Sequence, residues 1–429
     1  MKNKTNYYLN LFILAILLFS TYNELAAQEL FPLKVNDKWG LYNNRGEKKI
    51  TILKNYYNIL EFKDGIALFQ ESEWLQYYGY INEKGEEVIA PKYLWEYHFN
   101  GGIARAYLKN YGFIDKKGVA IIDFKYPYAS DFHEGLAAVQ LNDKYGFIDN
   151  NDIEIIPLKY EFAKDFHEGL AAVKLNGKWG FINKKGVVII DFKFKTVIDF
   201  SEGMAMVMTD EGVGYIDKSG NDVVATKYHT GSQKFEGGLA MVSIDNKIGF
   251  IDKTGKEVIA LKYDDAGEFK EGLIPVSQNK KYGFIDQQGK IIIDLKYDLV
   301  GYFYNNLAVV TLNSKSGYTD KAGKIIIPLK YDVCGNFNNN LAPVCINKKW
   351  GYVDKSGKEV IALRYDELSY FSEGLAVVKL NENYGFITIT GDLIIPFEYE
   401  KAATFLNGVA KVTMNGKEFY INKLGKKLE

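Results

Sequence analysis

Eleven glycines recur along this chain at almost constant intervals: Gly40, Gly79, Gly112, Gly146, Gly180, Gly214, Gly249, Gly283, Gly317, Gly351 and Gly385, spaced 39, 33, 34, 34, 34, 35, 34, 34, 34 and 34 residues apart. A twelfth register position follows 34 residues later, with Phe419 in the glycine's place. Length alone would suggest roughly three domains, but a period this regular overrides it. One supersecondary unit is written about twelve times, and each copy buries its apolar face against its neighbours. The copies occupy residues 28–429 and leave no stretch of that length for a separate catalytic domain.

Helical repeats share a 34-residue period, so the residues must decide the unit's structure. Each copy holds three short runs rich in Val, Ile, Phe and Tyr, separated by turn residues at intervals too short for helices. Asn176-Gly177 joins two runs with the dipeptide of a type I′ hairpin, and Asn183-Lys-Lys-Gly186 reads as a type I turn closed by a left-handed glycine. The unit is therefore expected to be a three-stranded antiparallel meander, strands A, B and C, with the anchor glycine inside strand B. Two copies carry Asn306 and Asn340 in place of a glycine before strand A, and asparagine is the residue that best tolerates positive φ. Pro91, Pro157, Pro328 and Pro396 in strand C, and Pro32, Pro275 and Pro343 in strand A, mark both as edges, since proline cannot donate to a ladder. The linker after strand C, such as residues 160–169, is expected to run back along the sheet, with room for one helical turn, and to cover its edge.

The segments Lys38-Trp39-Gly40, Lys178-Trp179-Gly180 and Lys349-Trp350-Gly351, with their flanking Glu-Gly-Leu-Ala, Gly-Phe-Ile-Asp and Ile-Ile-Pro-Leu-Lys-Tyr motifs, resemble the WG (KWG) repeat family of bacterial proteins. Tyr111, Tyr145, Tyr282 and Tyr384 replace the tryptophan in other copies, and Val213, Ile248 and Ser316 in still others. The resemblance implies an all-β repeat and says more about architecture than about activity.

At the start, Lys2 and Lys4 precede a nine-residue apolar run at 11–19, and Ala26-Ala27 precede Gln28. This is the pattern of a secretory signal peptide over residues 1–27, cut after Ala27. Nine residues are too few to cross a bilayer, which takes about 20. The chain is thus expected to be exported, periplasmic or extracellular, with no membrane span in the mature part. An oxidising compartment would permit a Cys334–Cys345 disulfide. The repeat register opposes it, placing Cys334 at a small buried position and Cys345 at an outward one, on opposite facings.

The 53 basic residues balance 54 acidic ones, which excludes the electrostatic footprint of a nucleic-acid binder. Most of the 64 aromatic residues fall in fixed registers and are read as core. Trp74, Tyr77, Trp95 and Tyr97 fall outside them, and the meander puts the A–B turn and the exit of strand C at one end. These four are the candidate ligand-binding residues, an aromatic platform for a sugar or peptide. Capping of the first copies is the competing role. His133 and His167 share a register in adjacent copies, but two imidazoles without a third ligand make a poor metal site. The recurrent Asp115, Asp149, Asp217, Asp252, Asp286, Asp320 and Asp354 read as Asx-turn residues. No catalytic or phosphate-loop motif occurs. The sequence thus predicts a non-catalytic exported scaffold without cofactor or metal, binding a protein or peptide. Envelope glycan binding is the alternative, and an enzyme or enzyme inhibitor the third reading.

Propellers have roughly 4–8 blades, so about twelve copies of this unit are expected to form an open β-solenoid with distant ends. Propeller-like rings, such as two of six copies, are the alternative.

Overall fold

The structure, a computed structural model, describes residues 30–429 except 75–76, 95–98, 233 and 339. It is all-β: twelve small antiparallel sheets follow one another, with no helix among the described residues. They fall into two compact units, one of Met1–Lys92 with Glu398–Glu429 and the other of Tyr93–Phe397. Residues 1–27, expected to form a signal peptide, lie outside the described residues.

A representative sheet pairs Phe162–His167, Leu170–Leu175, Lys178–Asn183 and Val188–Phe194 in that order. The last three are strands A, B and C; the first is the linker. The expected three-stranded sheet with a helical linker turn is thus corrected, since nine of the twelve sheets gain the linker as a fourth strand. The physical reason is strand A's outer edge, whose backbone groups need partners. Glu161 N donates to Lys174 O at 2.8 Å and Asp264 N to Ser277 O at 2.9 Å. Strand A is therefore interior, and its prolines have a finer explanation. At Ala138 and Val377 the strand A N–H finds a linker serine, Ser130 Oγ and Ser369 Oγ, each at 3.0 Å. Pro275 and Pro343 have no N–H there and face Gly267 and Gly335, whose own N–H groups donate to the proline carbonyls. Strand C is the edge that its prolines indicated, with Pro157, Pro328 and Pro396 exposed.

The anchor glycine answers to strand C. Trp179 pairs with Phe194 and Phe181 with Ile190, so Gly180 alone faces three residues of a bulged partner. A Cβ there would lie 2.6 Å from Ile190 O and 3.0 Å from Asp191 C. In the last sheet, which pairs a linker strand with A and B, Phe419 stands at the glycine's register, with the Lys427 ammonium 4.7 Å from its ring. The ring after the glycine is buried throughout, from Phe147 and Phe181 at 0% to Phe250 at 5% exposed. The ring before it varies: Trp39 and Tyr145 are buried, whereas Trp179 and Trp350 are only half-buried.

Turn chemistry follows the sequence closely. Asn176 and Gly177 both have positive φ, and so do Asn306 and Asn340, at 68° and 64°. In the B–C turn, Asp149 Oδ1 accepts from the N–H groups of Asn151 and Ile153, each at 2.9 Å, and the same Asx geometry recurs at Asp217, Asp286 and Asp354.

Within each compact unit, successive sheets pack face to face. Tyr145, Phe147, Ile156 and Tyr160 of one bury against Ala163, Phe166, Val173 and Ile182 of the next. In the first compact unit, Val35 and Tyr42 of the first sheet bury together with Val409 of the last sheet and Leu428 after it. This corrects the expected open array with distant ends: the first and last sheets are neighbours, as the propeller-like alternative requires. Each presents an apolar face that an open array would leave in water.

Candidate functional site

The linker strand is the second edge of each four-stranded sheet. Its phenylalanine points inward and lies 4.7–5.2 Å, centroid to centroid, from the buried strand B ring of the preceding sheet in Phe113–Phe132, Phe147–Phe166, Phe181–Phe200, Tyr215–Phe235, Phe284–Phe303, Tyr318–Phe337 and Tyr352–Phe371. The residues on either side of it point outward and differ from sheet to sheet: Asp131 and His133, Asp165 and His167, Lys234 and Glu236, Tyr302 and Tyr304, Tyr370 and Ser372. The framework is constant and this row varies.

At one end the row is ionic. The His133 and His167 rings lie 5.8 Å apart, and His133 Nδ1 is 3.3 Å from Asp165 Oδ2. Arg105 Nε approaches Asp131 Oδ1 at 3.2 Å, and Lys164 Nζ approaches Asp199 Oδ1 at 3.8 Å. Burial raises the Asp199 carboxyl above its ordinary range despite Lys164 and His167. No group of three or more His, Cys, Asp or Glu among the described residues is placed to hold a metal.

Further along, the row opens into a cleft of about 410 Å³. Leu239, Met241, Phe250 and Ile274 form its floor, Phe269 a wall, and Ser232, Lys234, Glu236, Glu268 and Tyr302 its mouth. Phe269 is the linker phenylalanine that should cover Phe250. It is only half-buried, and the two do not stack among the described ring pairs. Its ring instead lies against Gly237, where a Cβ would be 2.6 Å from Cδ1. Five other copies carry a glutamate at the register of Gly237 (Glu134, Glu168, Glu202, Glu271 and Glu373), while Asp64, Gly101, Asn305 and Asn407 stand there in others. At Glu134 and Glu271 that glutamate clips its sheet to the next. Glu134 accepts from Gly169 N at 3.2 Å and from Lys184 Nζ at 2.9 Å, and Glu271 accepts from Asn305 N at 2.8 Å with Lys321 Nζ at 3.1 Å. At the cleft both members of the clip are exchanged, glutamate for Gly237 and lysine for Gln287, whose Nε2 donates to Gly237 O.

Of the four aromatic residues singled out in sequence, Trp74 is 89% exposed on the lengthened A–B turn, and Tyr77 is exposed near it. Trp95 and Tyr97 lie outside the described residues. The cysteines are free. Cys334 pairs with Val344 and Cys345 with Val333, so the two are on adjacent rungs with opposite facings. Cys345 is buried, at 5% exposed, and not outward as its register suggested, because its cross-strand neighbours are Val333 and the large Trp350. Periodicity alone did not reveal the cleft. Its traces in the sequence are the 35-residue interval from Gly214 to Gly249 and the two exchanged clip residues.

A family model described as WG containing repeat matches ten consecutive stretches: 78–110, 111–145, 145–179, 179–211, 214–247, 248–282, 282–315, 317–350, 350–384 and 384–417. No curated protein sequence matches the chain. Among solved structures, a eukaryotic initiation factor is similar at 12% identity and TM-score 0.33, over 86% of this chain and 95% of that one. The extracellular domain of a putative hybrid two-component system from B. thetaiotaomicron is similar at 10% identity and TM-score 0.24, over 92% and 69%. Kluyveromyces lactis Hsv2p is similar at 10% identity and TM-score 0.30, over 53% and 92%.

Proposed function

This chain belongs to the family of proteins built from WG containing repeats, and from that premise we propose that it is an exported, non-catalytic scaffold on which a protein or peptide partner docks along the linker row. The observation that carries this reading is the contrast between a constant framework and a variable row. The recurrent aspartates, glycines and inward rings are engaged in turns, bulges and sheet contacts, while the residues flanking each linker phenylalanine change character from sheet to sheet. Repeat proteins that bind partners use an extended surface of this kind.

A photo-crosslinking residue placed at Tyr304, on the row, should yield a discrete adduct in envelope extracts. The same residue at Lys330, on the exposed edge strand Ile325–Tyr331, should not. Equal yields from the two positions, or none from the row, would overturn the reading. Export itself predicts a mature chain beginning at Gln28. Mass spectrometry of periplasmic or secreted material checks this, and a mass that includes residues 1–27 refutes it.

A second reading, glycan binding at Trp74, Tyr77, Trp95 and Tyr97, is supported by the near-complete exposure of the Trp74 indole. Quenching of tryptophan fluorescence by envelope oligosaccharides, abolished by Trp74→Ala, would establish it. Unchanged fluorescence would remove it.

A further inference from the structure

The cleft at Phe250 differs from the stacked junctions described above in one respect: its linker ring packs at the side of the cluster and does not stack on the strand B ring. Where the linker phenylalanine is in place, the strand B ring is covered at 4.7–5.2 Å and is at most 1% exposed in Phe147, Phe181, Tyr215, Phe284, Tyr318 and Tyr352. Phe250 is 5% exposed and faces open space bounded by Leu239, Met241 and Ile274. Two residues fifty apart in sequence meet beside it, Gly237 and Gln287. With no side chain at Gly237, the Phe269 ring can lie where the clip glutamate would be, and Gln287 meets the Gly237 carbonyl without leaving an unpaired charge.

We propose that this cleft receives one aromatic side chain, a Phe, Tyr or Trp carried by an extended segment of a peptide partner. This deepens the scaffold reading and rests on it. The occupant is argued from the repeats themselves, since at seven junctions this position over strand B holds an aromatic ring in tilted or edge-to-face contact. Such pairs gain stability beyond simple burial. The volume lies within the range of pockets that enclose small ligands, roughly 300–1,000 Å³. The mouth carries both signs of charge, Lys234 with Glu236 and Glu268, beside the hydroxyls of Ser232 and Tyr302. That lining suits the polar backbone of a neutral peptide more than a charged ligand.

The test uses the full mature chain with methyl-labelled methionine. Met241 lines the cleft, while Met206 occupies the same strand position in the preceding sheet, beside the covered Tyr215. Titration with the capped tripeptide Ala-Phe-Ala should shift the Met241 methyl saturably by ring current and leave Met206 in place. Capped Ala-Ala-Ala should shift neither. The double variant Gly237→Glu with Gln287→Lys restores the clip of the other sheets. Its backbone suits the change, because Gly237 has φ 57° and the clip residues Glu134, Glu168 and Glu271 have φ 52°, 53° and 50°. It should return Phe269 to Phe250 and weaken peptide binding by roughly tenfold or more. No Met241 shift with Ala-Phe-Ala, or an equal shift in the double variant, would overturn the proposal. Row-specific cross-linking from Tyr304 with a negative titration would leave the scaffold reading standing and remove only the aromatic site.

Discussion

Replacing Gly180 by alanine tests how the sheets are built. The new Cβ would lie 2.6 Å from Ile190 O and 3.0 Å from both Asp191 C and Phe192 Cδ1. The first of these is several tenths of an ångström inside any tolerated contact, and the obstacle is backbone, which cannot rotate away. Strand C must move outward as a unit, and the pairs that hold it, Trp179 with Phe194 and Phe181 with Ile190, flank the collision on both sides. Overpacking of this kind costs about 1–3 kcal/mol, and weakening the adjacent ladder hydrogen bonds, each worth about 1 kcal/mol net, leads to the same range. Gly180→Ala should therefore lower stability by about 2 kcal/mol, and Gly180→Val by at least as much. Urea titration followed by tryptophan fluorescence gives the global value, and amide hydrogen exchange gives its location. Protection should fall first in Lys178–Asn183 and Val188–Phe194. An alanine variant with an unchanged urea midpoint and unchanged protection in those strands would show that the bulge does not require the glycine.

The edge carboxylates predict the acid limb of stability. The Lys247 ammonium and then the Asn279 N–H hold Asp264 below its ordinary range; Lys281 with Asn313 does the same for Asp298, Lys315 with Asn347 for Asp332, and Lys349 with Asn381 for Asp366. Their native pKa values lie below the unfolded value of about 3.9, so this stabilisation is complete above that pH and is lost as pH falls through the native values. The urea midpoint should drop below about pH 4, and less steeply in a variant with all four changed to asparagine; identical acid limbs would refute this. The Tyr126 hydroxyl donates to Asp152 at 2.7 Å whereas the buried Tyr263 hydroxyl has no partner, so Tyr126→Phe should cost about 1 kcal/mol and Tyr263→Phe should be neutral or stabilising by denaturant titration. Ser130→Ala leaves the buried Ala138 N–H without its acceptor and should cost about 1–3 kcal/mol. Ser130→Gly combined with Ala138→Pro copies the Gly267–Pro275 arrangement and should recover most of that loss, which a double-mutant cycle measures.

Much of the unit was legible in the sequence because its requirements are local to the backbone. Positive φ at Asn176, Asn306 and Asn340, the Asx turns at the recurrent aspartates, and the glycine inside strand B each follow from what one residue type can do at one place in the chain. The linker was misread because a two-residue strand such as Val333–Cys334 has no periodicity to detect. It becomes a strand only when it lies beside the unpaired edge of strand A. Of the candidate sites, Trp74 stood out in sequence only by lying outside every register, and its exposure is read from the structure. The cleft did not emerge, since it depends on the relation among Gly237, Phe269 and Gln287.

The sequence by itself determined the repeat, its strands, its turns and the inward rings, for these follow from the alternation of apolar residues and from backbone conformations that few residue types adopt. Only the tertiary structure decided that the linker pairs, that the first sheet packs on the last through Val35, Tyr42, Val409 and Leu428, and that one junction stands open over Phe250. Those outcomes depend on which surfaces meet. Two copies with nearly the same local pattern can meet differently: past Gly101 the Phe132 ring stacks on Phe113, while the Phe269 ring lies against Gly237 and leaves Phe250 without a stacked partner.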